Sequence, residues 1–137
     1  MPEVHEEGEI SASVDEVWAL VGDFGGFPRA MGVPVTLAGE GVGQTREMTM
    51  GAEATIERLE ECDEADKRVV YSIVKAALPV INYRSTMKVE PAGEGRAKLL
   101  WSTTFDVPEG ADVEASTAMI STIYKGDIKG LQRHFNA

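Results

Sequence analysis

The sequence has few of the residues from which disulfides, metal sites and nucleophilic triads are built. Its single cysteine, Cys62, cannot form an internal disulfide, and its only histidines are His5 and His134. No group of ligands occurs at metal-binding spacing, no Ser-His-Asp or Cys-His arrangement is visible, and no glycine loop suited to phosphate is present. We therefore expect neither a metal nor a cofactor.

Basic residues are also scarce, because Lys and Arg number 13 against 23 Asp and Glu, for a net charge of −10. That charge repels phosphate backbones and anionic lipid headgroups, so we expect no nucleic-acid partner. No apolar run approaches the roughly 18 residues of a membrane span, which argues against integral membrane association. The first seven residues lack the basic and apolar regions of a secretory signal, so we expect a cytoplasmic protein. The oligomeric state stays open between monomer and homodimer.

The length predicts one domain over residues 1–137, with mixed local patterns at its start. Residues 3–10 predict a first strand. Residues 13–16, Ser-Val-Asp-Glu, have the form of a capping box, which begins a helix that Gly22 ends. Asp23 is suited to cap a second short helix.

The middle of the chain alternates apolar and polar residues with a period of two, the pattern of antiparallel strands. The loop Gly51-Ala52 suits a two-residue type II′ turn, which sets the register of its hairpin. Arg46 is then opposite Glu57 and Met48 opposite Thr55, all on one face. The predicted strands are 34–39, 43–50, 53–62, 67–75, 82–90 and 97–106.

Residues 112–135 form the longest helical pattern, with an apolar stripe along its length. A helix of that length is roughly 36 Å long at about 1.5 Å per residue, enough to cross a whole sheet. The sequence therefore predicts an α+β domain of seven antiparallel strands and one long C-terminal helix, with two short helices between strands 1 and 2.

This order of elements, taken with five short motifs, resembles the START-like or SRPBCC superfamily of polyketide cyclases/dehydrases and lipid-transport proteins. The resemblance covers nearly the whole chain. It implies a helix-grip fold, in which a curved seven-stranded sheet wraps the long helix and encloses a cavity for a hydrophobic molecule. The motifs are Ser13-Val14-Asp15-Glu16-Val17-Trp18, Gly41-Val42-Gly43, Thr55-Ile56-Glu57-Arg58-Leu59, Asn82-Tyr83-Arg84-Ser85 and Asp106-Val107-Pro108-Glu109-Gly110.

The last two motifs and Gly43-Gln44-Thr45-Arg46 are most similar to the plant abscisic-acid receptors, whose hormone sits between the sheet and the long helix. Three features of those receptors are missing here. The gate loop is shortened to Met50-Gly51-Ala52, the latch is replaced by Leu78-Pro79-Val80, and the lysine that holds the hormone's carboxylate has no counterpart. Gated recruitment of a phosphatase is therefore not implied.

The hairpin register and the resemblance together predict which side chains face the cavity. Arg46 and Glu57 are either the polar anchor of a pocket or an ordinary cross-strand ion pair at the sheet rim. Asp127 interrupts the apolar stripe of the helix, and it either serves the site or points to solvent. The predicted ligand-binding residues are Arg46, Met48, Thr55, Glu57, Tyr71, Ile73, Tyr83, Ser85, Trp101, Met119, Ile123 and Asp127.

Three functions are compatible with this pattern. The first is a binding or carrier protein for a small lipophilic molecule with at least one polar group. The second is an enzyme similar to polyketide cyclases or dehydratases, in which Glu57 or Asp127 moves a proton beside Tyr71 or Tyr83. The third is a cavity-poor interaction domain whose edge strand or C-terminal helix contacts a partner.

Overall fold

The computed structural model describes residues 2–50, 53–76 and 78–136. Its strands are β1 (Glu3–Ile10), β2 (Val35–Ala38), β3 (Thr45–Met50), β4 (Glu53–Asp63), β5 (Arg68–Lys75), β6 (Ile81–Pro91) and β7 (Ala97–Asp106), and its helices are α1 (Val14–Val21), α2 (Gly26–Ala30) and α3 (Val113–Asn136). The strands form one antiparallel, curved sheet in the order β1-β7-β6-β5-β4-β3-β2. The predicted helix-grip architecture is confirmed.

Side chains near the starts of α1 and α2 accept hydrogen bonds from backbone amides. The hydroxyl of Ser13 accepts from the amide of Glu16 at 3.2 Å, and the Glu16 carboxylate accepts from the amide of Ser13 at 3.2 Å. This is the predicted capping box, and Gly22 ends the helix as expected. The Asp23 carboxylate accepts from the amide of Gly26, the first residue of α2, at 3.0 Å, although the N-cap position of α2 is Gly25 and makes no side-chain cap.

The hairpin of β3 and β4 has the predicted register. Arg46 is opposite Glu57 and Met48 opposite Thr55, and the four side chains are buried. Their neighbours on the other face of the strands are exposed or half-buried, as the alternation of a pleated strand requires. The predicted type II′ turn at Gly51-Ala52 lies outside the described residues.

The long helix α3 packs against β1 and β7 and buries one side of its surface in the core. The glycine of β1 permits this approach, because a Cβ atom at Gly8 would lie 2.5 Å from Cγ2 of Ile128. The buried residues of α3 are Ser116, Ile120, Tyr124, Ile128 and Leu131.

Neither a metal-ligand cluster nor a membrane-spanning helix occurs in the described residues. In the part of the chain that the structure describes, no three His, Cys, Asp or Glu side chains are grouped so that they could hold a metal ion. Within those same ranges, no helix has the length and hydropathy needed to cross a bilayer.

Candidate functional site: a cavity between the sheet and the long helix

A cavity of about 120 Å³ lies between the inner face of the sheet and α3. An apolar cavity of roughly 150 Å³ in another protein accommodates one benzene molecule, so this volume corresponds to a single ring. Residues from β3 to β7, from α3 and from the α2 region contribute. The lining consists of Phe27, Pro28, Met31, Val33, Arg46, Met48, Thr55, Glu57, Tyr71, Ile73, Ala76, Leu78, Tyr83, Trp101, Ile120, Ile123, Tyr124 and Asp127.

Of the residues that were predicted to face a cavity, all except Ser85 and Met119 contribute to the lining of this one. Ser85 lies behind the lining, fully buried. The prediction for Met119 is wrong, because its side chain is 41% exposed and lies outside the cavity. The residues of α3 that line it are Ile120, Ile123, Tyr124 and Asp127, which follow the spacing i, i+3, i+4 and i+7 of one helical face. Met119 lies about 40° beyond Ile123, outside the edge of that face.

The most polar part of the wall is the ion pair of Arg46 and Glu57. Nε of Arg46 donates to Oε1 of Glu57 at 2.8 Å, Nη2 lies 2.7 Å from the same oxygen, and Nη1 donates to the carbonyl of Phe24 at 2.9 Å. The guanidinium carbon also lies 4.0 Å from the ring centre of Phe24 and 4.9 Å from that of Tyr71. Because Arg46 and Glu57 are only 5% and 7% exposed, the pair is not a rim ion pair.

Burial and charge act in opposite directions on the Glu57 carboxyl. Removal from water disfavours the carboxylate, and this effect raises the pKa of Glu57 above its ordinary value. The neighbouring Arg46 lowers the pKa by its charge and its hydrogen bond, and it offsets only part of the increase. The Glu57 carboxyl is therefore more easily protonated than an ordinary glutamate.

A chain of hydrogen bonds joins the tyrosines to the sheet. The hydroxyls of Tyr83 and Tyr124 are hydrogen-bonded to each other, and Tyr124 shares a second hydrogen bond of 3.2 Å with Ser85. Nε1 of Trp101 donates to Oγ of Ser85 at 2.8 Å, and the Trp101 ring stacks on Tyr124 with centres 4.0 Å apart. Burial raises the pKa of Tyr83 well above its ordinary value, so its hydroxyl stays protonated.

Asp127 lies where the cavity meets the surface. It lines the cavity and also an outer depression that contains Arg133 and His134. Burial is the main reason that the pKa of Asp127 is raised to about 6, with Glu57 adding to the increase and Arg46 opposing it. Among the described residues, the Asp127 carboxylate has neither a hydrogen bond nor an ion pair. Of the two alternatives open from the sequence, the structure places Asp127 at the cavity.

The sequence prediction did not include Tyr124 or the α2 region as parts of the site. Tyr124 was assigned to the apolar stripe of the helix, and its polar tip on a buried face was the available signal. Phe27 contacts Trp101 with ring centres 5.9 Å apart. Met31 packs against Gly130, because a Cβ atom added to that glycine would lie only 2.9 Å from the Met31 sulfur. A five-residue helix is too short for its periodicity to show which side faces inward.

Comparison with known proteins assigns the chain to a family. The family model described as "Polyketide cyclase / dehydrase and lipid transport" matches residues 1–136. The chain therefore belongs to the polyketide cyclase/dehydrase and lipid-transport family, and the predicted resemblance is confirmed at this level.

Three individual proteins illustrate the likeness. An abscisic acid receptor of Arabidopsis thaliana is 27% identical over 140 residues, covering 91% of this chain, which spans 65% of the receptor. A solved but uncharacterised protein of Bacillus thuringiensis is 31% identical, with a TM-score of 0.90 over 99% of this chain and 100% of the other. Norcoclaurine synthase of Thalictrum flavum, solved with dopamine and hydroxybenzaldehyde, is 22% identical, with a TM-score of 0.73 over 97% of this chain and 87% of the other. The last likeness shows the fold alone.

Proposed function

We propose that this protein binds a small, single-ring molecule in the cavity between the sheet and α3. Aromatic and aliphatic side chains form most of the wall, which suits the apolar body of such a molecule. The observation that carries the proposal is the buried pair of Arg46 and Glu57, which faces this cavity. Burying two charges is costly, and a protein that needed only stability would do as well with apolar side chains there.

The arrangement of hydrogen bonds indicates how the molecule would be oriented. The hydrogen bond from Nε of Arg46 and the ion-pair contact of its Nη2 both reach Oε1 of Glu57, and Oε2 accepts no hydrogen bond from the described residues. A ligand hydroxyl or amine can therefore donate to Oε2, while the ring lies against Trp101 and Ile123. Specificity then comes from one or two polar contacts in an otherwise apolar pocket.

The proposal can be tested by filling the cavity from α3. In the variant Ile123→Trp the larger side chain occupies the cavity, whereas Met119→Trp places the same side chain on the exposed side of the same helix. Calorimetry with benzyl alcohol should detect binding to the wild type and to Met119→Trp, and none to Ile123→Trp. Native mass spectrometry and organic extraction of the purified wild type would show any ligand acquired during expression.

Two results would reject the proposed function. One is a wild type that carries no extractable molecule and binds no benzyl alcohol. The other is equal binding to Ile123→Trp and to the wild type, which would put the molecule outside the cavity.

A second function, proton transfer on a carbonyl compound, is favoured by the carboxyl groups of the site. Asp127, with a pKa raised to about 6, is suited to act as a general base near neutral pH. Deuterium exchange at the methyl group of acetophenone in D₂O, followed by NMR, measures such an activity. An enzyme should accelerate the exchange over buffer and lose the acceleration in Asp127→Asn. No acceleration by the wild type would reject this second function.

A further inference from the structure

The charges that face the cavity are unbalanced. Its lining contains one guanidinium, on Arg46, and two carboxyls, on Glu57 and Asp127. The other polar side-chain groups of the lining are hydroxyls and the indole N–H of Trp101, which are neutral, and burial raises the pKa of Tyr71 and Tyr83 well above the ordinary value. With both carboxyls ionised the wall carries one negative charge more than it has positive charges. A site for an anion would have the opposite balance.

The positive charge of Arg46 is already engaged by the protein. Its two hydrogen bonds go to Glu57 and to the carbonyl of Phe24, its Nη2 also lies in ion-pair contact with Glu57, and the rings of Phe24 and Tyr71 lie close to its guanidinium. A ligand carboxylate could reach this guanidinium only by competing with Glu57. The competition would bring two carboxylates together in a buried space, which is strongly unfavourable.

Asp127 is the carboxyl that remains without a partner among the described residues. Two charged groups of the sheet act on it: Glu57 raises the pKa of Asp127, and Arg46 lowers it. From its own helix, Arg133 and His134 line the outer depression beside it, and α2 contributes only Ala30 and Met31 there. None of these groups forms an ion pair with Asp127 within the described ranges.

We propose that the molecule bound in this cavity carries a protonated amine and that Asp127 is its counterion at the cavity mouth. The inference rests on the proposed binding function and narrows its ligand class. An ammonium group supplies the hydrogen-bond donors and the positive charge that the site lacks. The net charge of −10 acts in the same direction as the charges of the cavity, because it attracts cationic ligands and repels anionic ones.

The inference predicts a dependence of binding on pH. The ammonium of benzylamine stays protonated throughout the neutral range, so the titration of the site decides the outcome. Because the pKa of Asp127 is raised to about 6, its carboxylate forms as the pH rises through that value. Amine binding should therefore strengthen between pH 5 and pH 8, while the binding of a neutral alcohol should stay constant.

The test compares benzylamine, benzyl alcohol and benzoate, which share one ring and differ in charge. Calorimetry on the wild type at pH 8 and low salt should give benzylamine about a tenfold lower Kd than benzyl alcohol, the order expected of one charge-assisted hydrogen bond. Benzoate should bind more weakly than the alcohol. Asp127→Asn should remove the preference for the amine over the alcohol. Glu114→Gln, which removes an exposed charge from the same helix, should behave as the wild type.

The outcomes separate this inference from the function on which it rests. Equal binding of the amine and the alcohol, or tighter binding of benzoate, would overturn the inference and leave the binding function in place. An undiminished amine preference in Asp127→Asn would also overturn it. Failure of all three compounds to bind would overturn the binding function itself and, with it, this inference.

Discussion

The two faces of β3 and β4 carry the same kind of ion pair in opposite surroundings. On the inner face, Nη2 of Arg46 lies 2.7 Å from Glu57, and the side chains are 6% and 9% exposed. On the outer side, Nε of Arg58 lies 3.2 Å from Glu60, and the side chains are 49% and 26% exposed. The alternation of the strand alone decides which arginine is taken out of water.

The difference shows that an ion pair has no fixed energetic value. Water screens the pair of Arg58 and Glu60, and such surface pairs contribute about 0–1 kcal/mol. The pair of Arg46 and Glu57 lost its hydration on folding, and its mutual attraction compensates for that loss only while both partners are present. The inner pair is therefore best explained by what it offers to the cavity, since its contribution to stability is small.

The largest expected effect follows from breaking the inner pair. Arg46→Met should lower the free energy of unfolding by about 3–5 kcal/mol, because it leaves the buried Glu57 without its partner. The matched change Arg58→Met, on the other face, should cost less than about 1 kcal/mol. Urea unfolding followed by circular dichroism measures both. Similar losses in the two variants would contradict the distinction between the faces.

Removing both members of the inner pair should restore most of the lost stability. Arg46→Met with Glu57→Leu replaces two charges by apolar side chains of similar length, which is often neutral or stabilising. The double variant should unfold within about 1 kcal/mol of the wild type, although its cavity would have lost both charged groups. If its loss equalled the sum of the two single losses, the pair would be a stabilising element after all.

A smaller effect concerns Asp127 and depends on pH. Its pKa, about 6 in the folded protein, lies above the ordinary 3.8, so between these values the folded state holds a proton that the unfolded state has lost. Stability contributed by that proton is present at low pH and is lost as the pH rises through 6. Asp127→Asn should therefore be more stable than the wild type by about 1–2 kcal/mol at pH 8 and equal to it near pH 3. Urea titrations at both pH values measure this, and a constant difference would contradict it.

The smallest effect concerns salt. The loss of unfolding free energy caused by Arg58→Met should disappear in about 1 M NaCl, where the Debye screening length is roughly 3 Å. The loss caused by Arg46→Met should remain, because salt does not reach a buried pair to the same extent. Equal salt sensitivity of the two losses would show that water reaches the inner pair.

The sheet was more predictable from the sequence than the helix. In a strand with a period of two, one hairpin turn assigns every residue to a face, so Arg46, Met48, Thr55 and Glu57 followed from a single register. In α3 the apolar stripe was broad, and neighbouring residues on its edge could not be separated by pattern alone. Met119 was placed inside for this reason.

Other parts of the site depended on tertiary contacts. The carbonyl of Phe24 binds Arg46 across the domain, a contact that no local pattern contains. Phe27 in α2 and Met31 just after it line the cavity, and the sequence indicated only that a short helix exists there. The charge imbalance of the cavity also depends on tertiary structure, because Arg46, Glu57 and Asp127 come from β3, β4 and α3.

The most direct test of the central claim locates a bound ring by its contacts with isoleucine methyl groups. Ile73, Ile120 and Ile123 line the cavity, whereas Ile10 and Ile128 lie elsewhere in the core. In protein labelled with ¹³C at the isoleucine methyls, intermolecular NOEs from the aromatic protons of benzylamine should appear at the three lining residues. NOEs to exposed isoleucines such as Ile81, or none at all at saturating ligand, would contradict a ligand held between the sheet and α3.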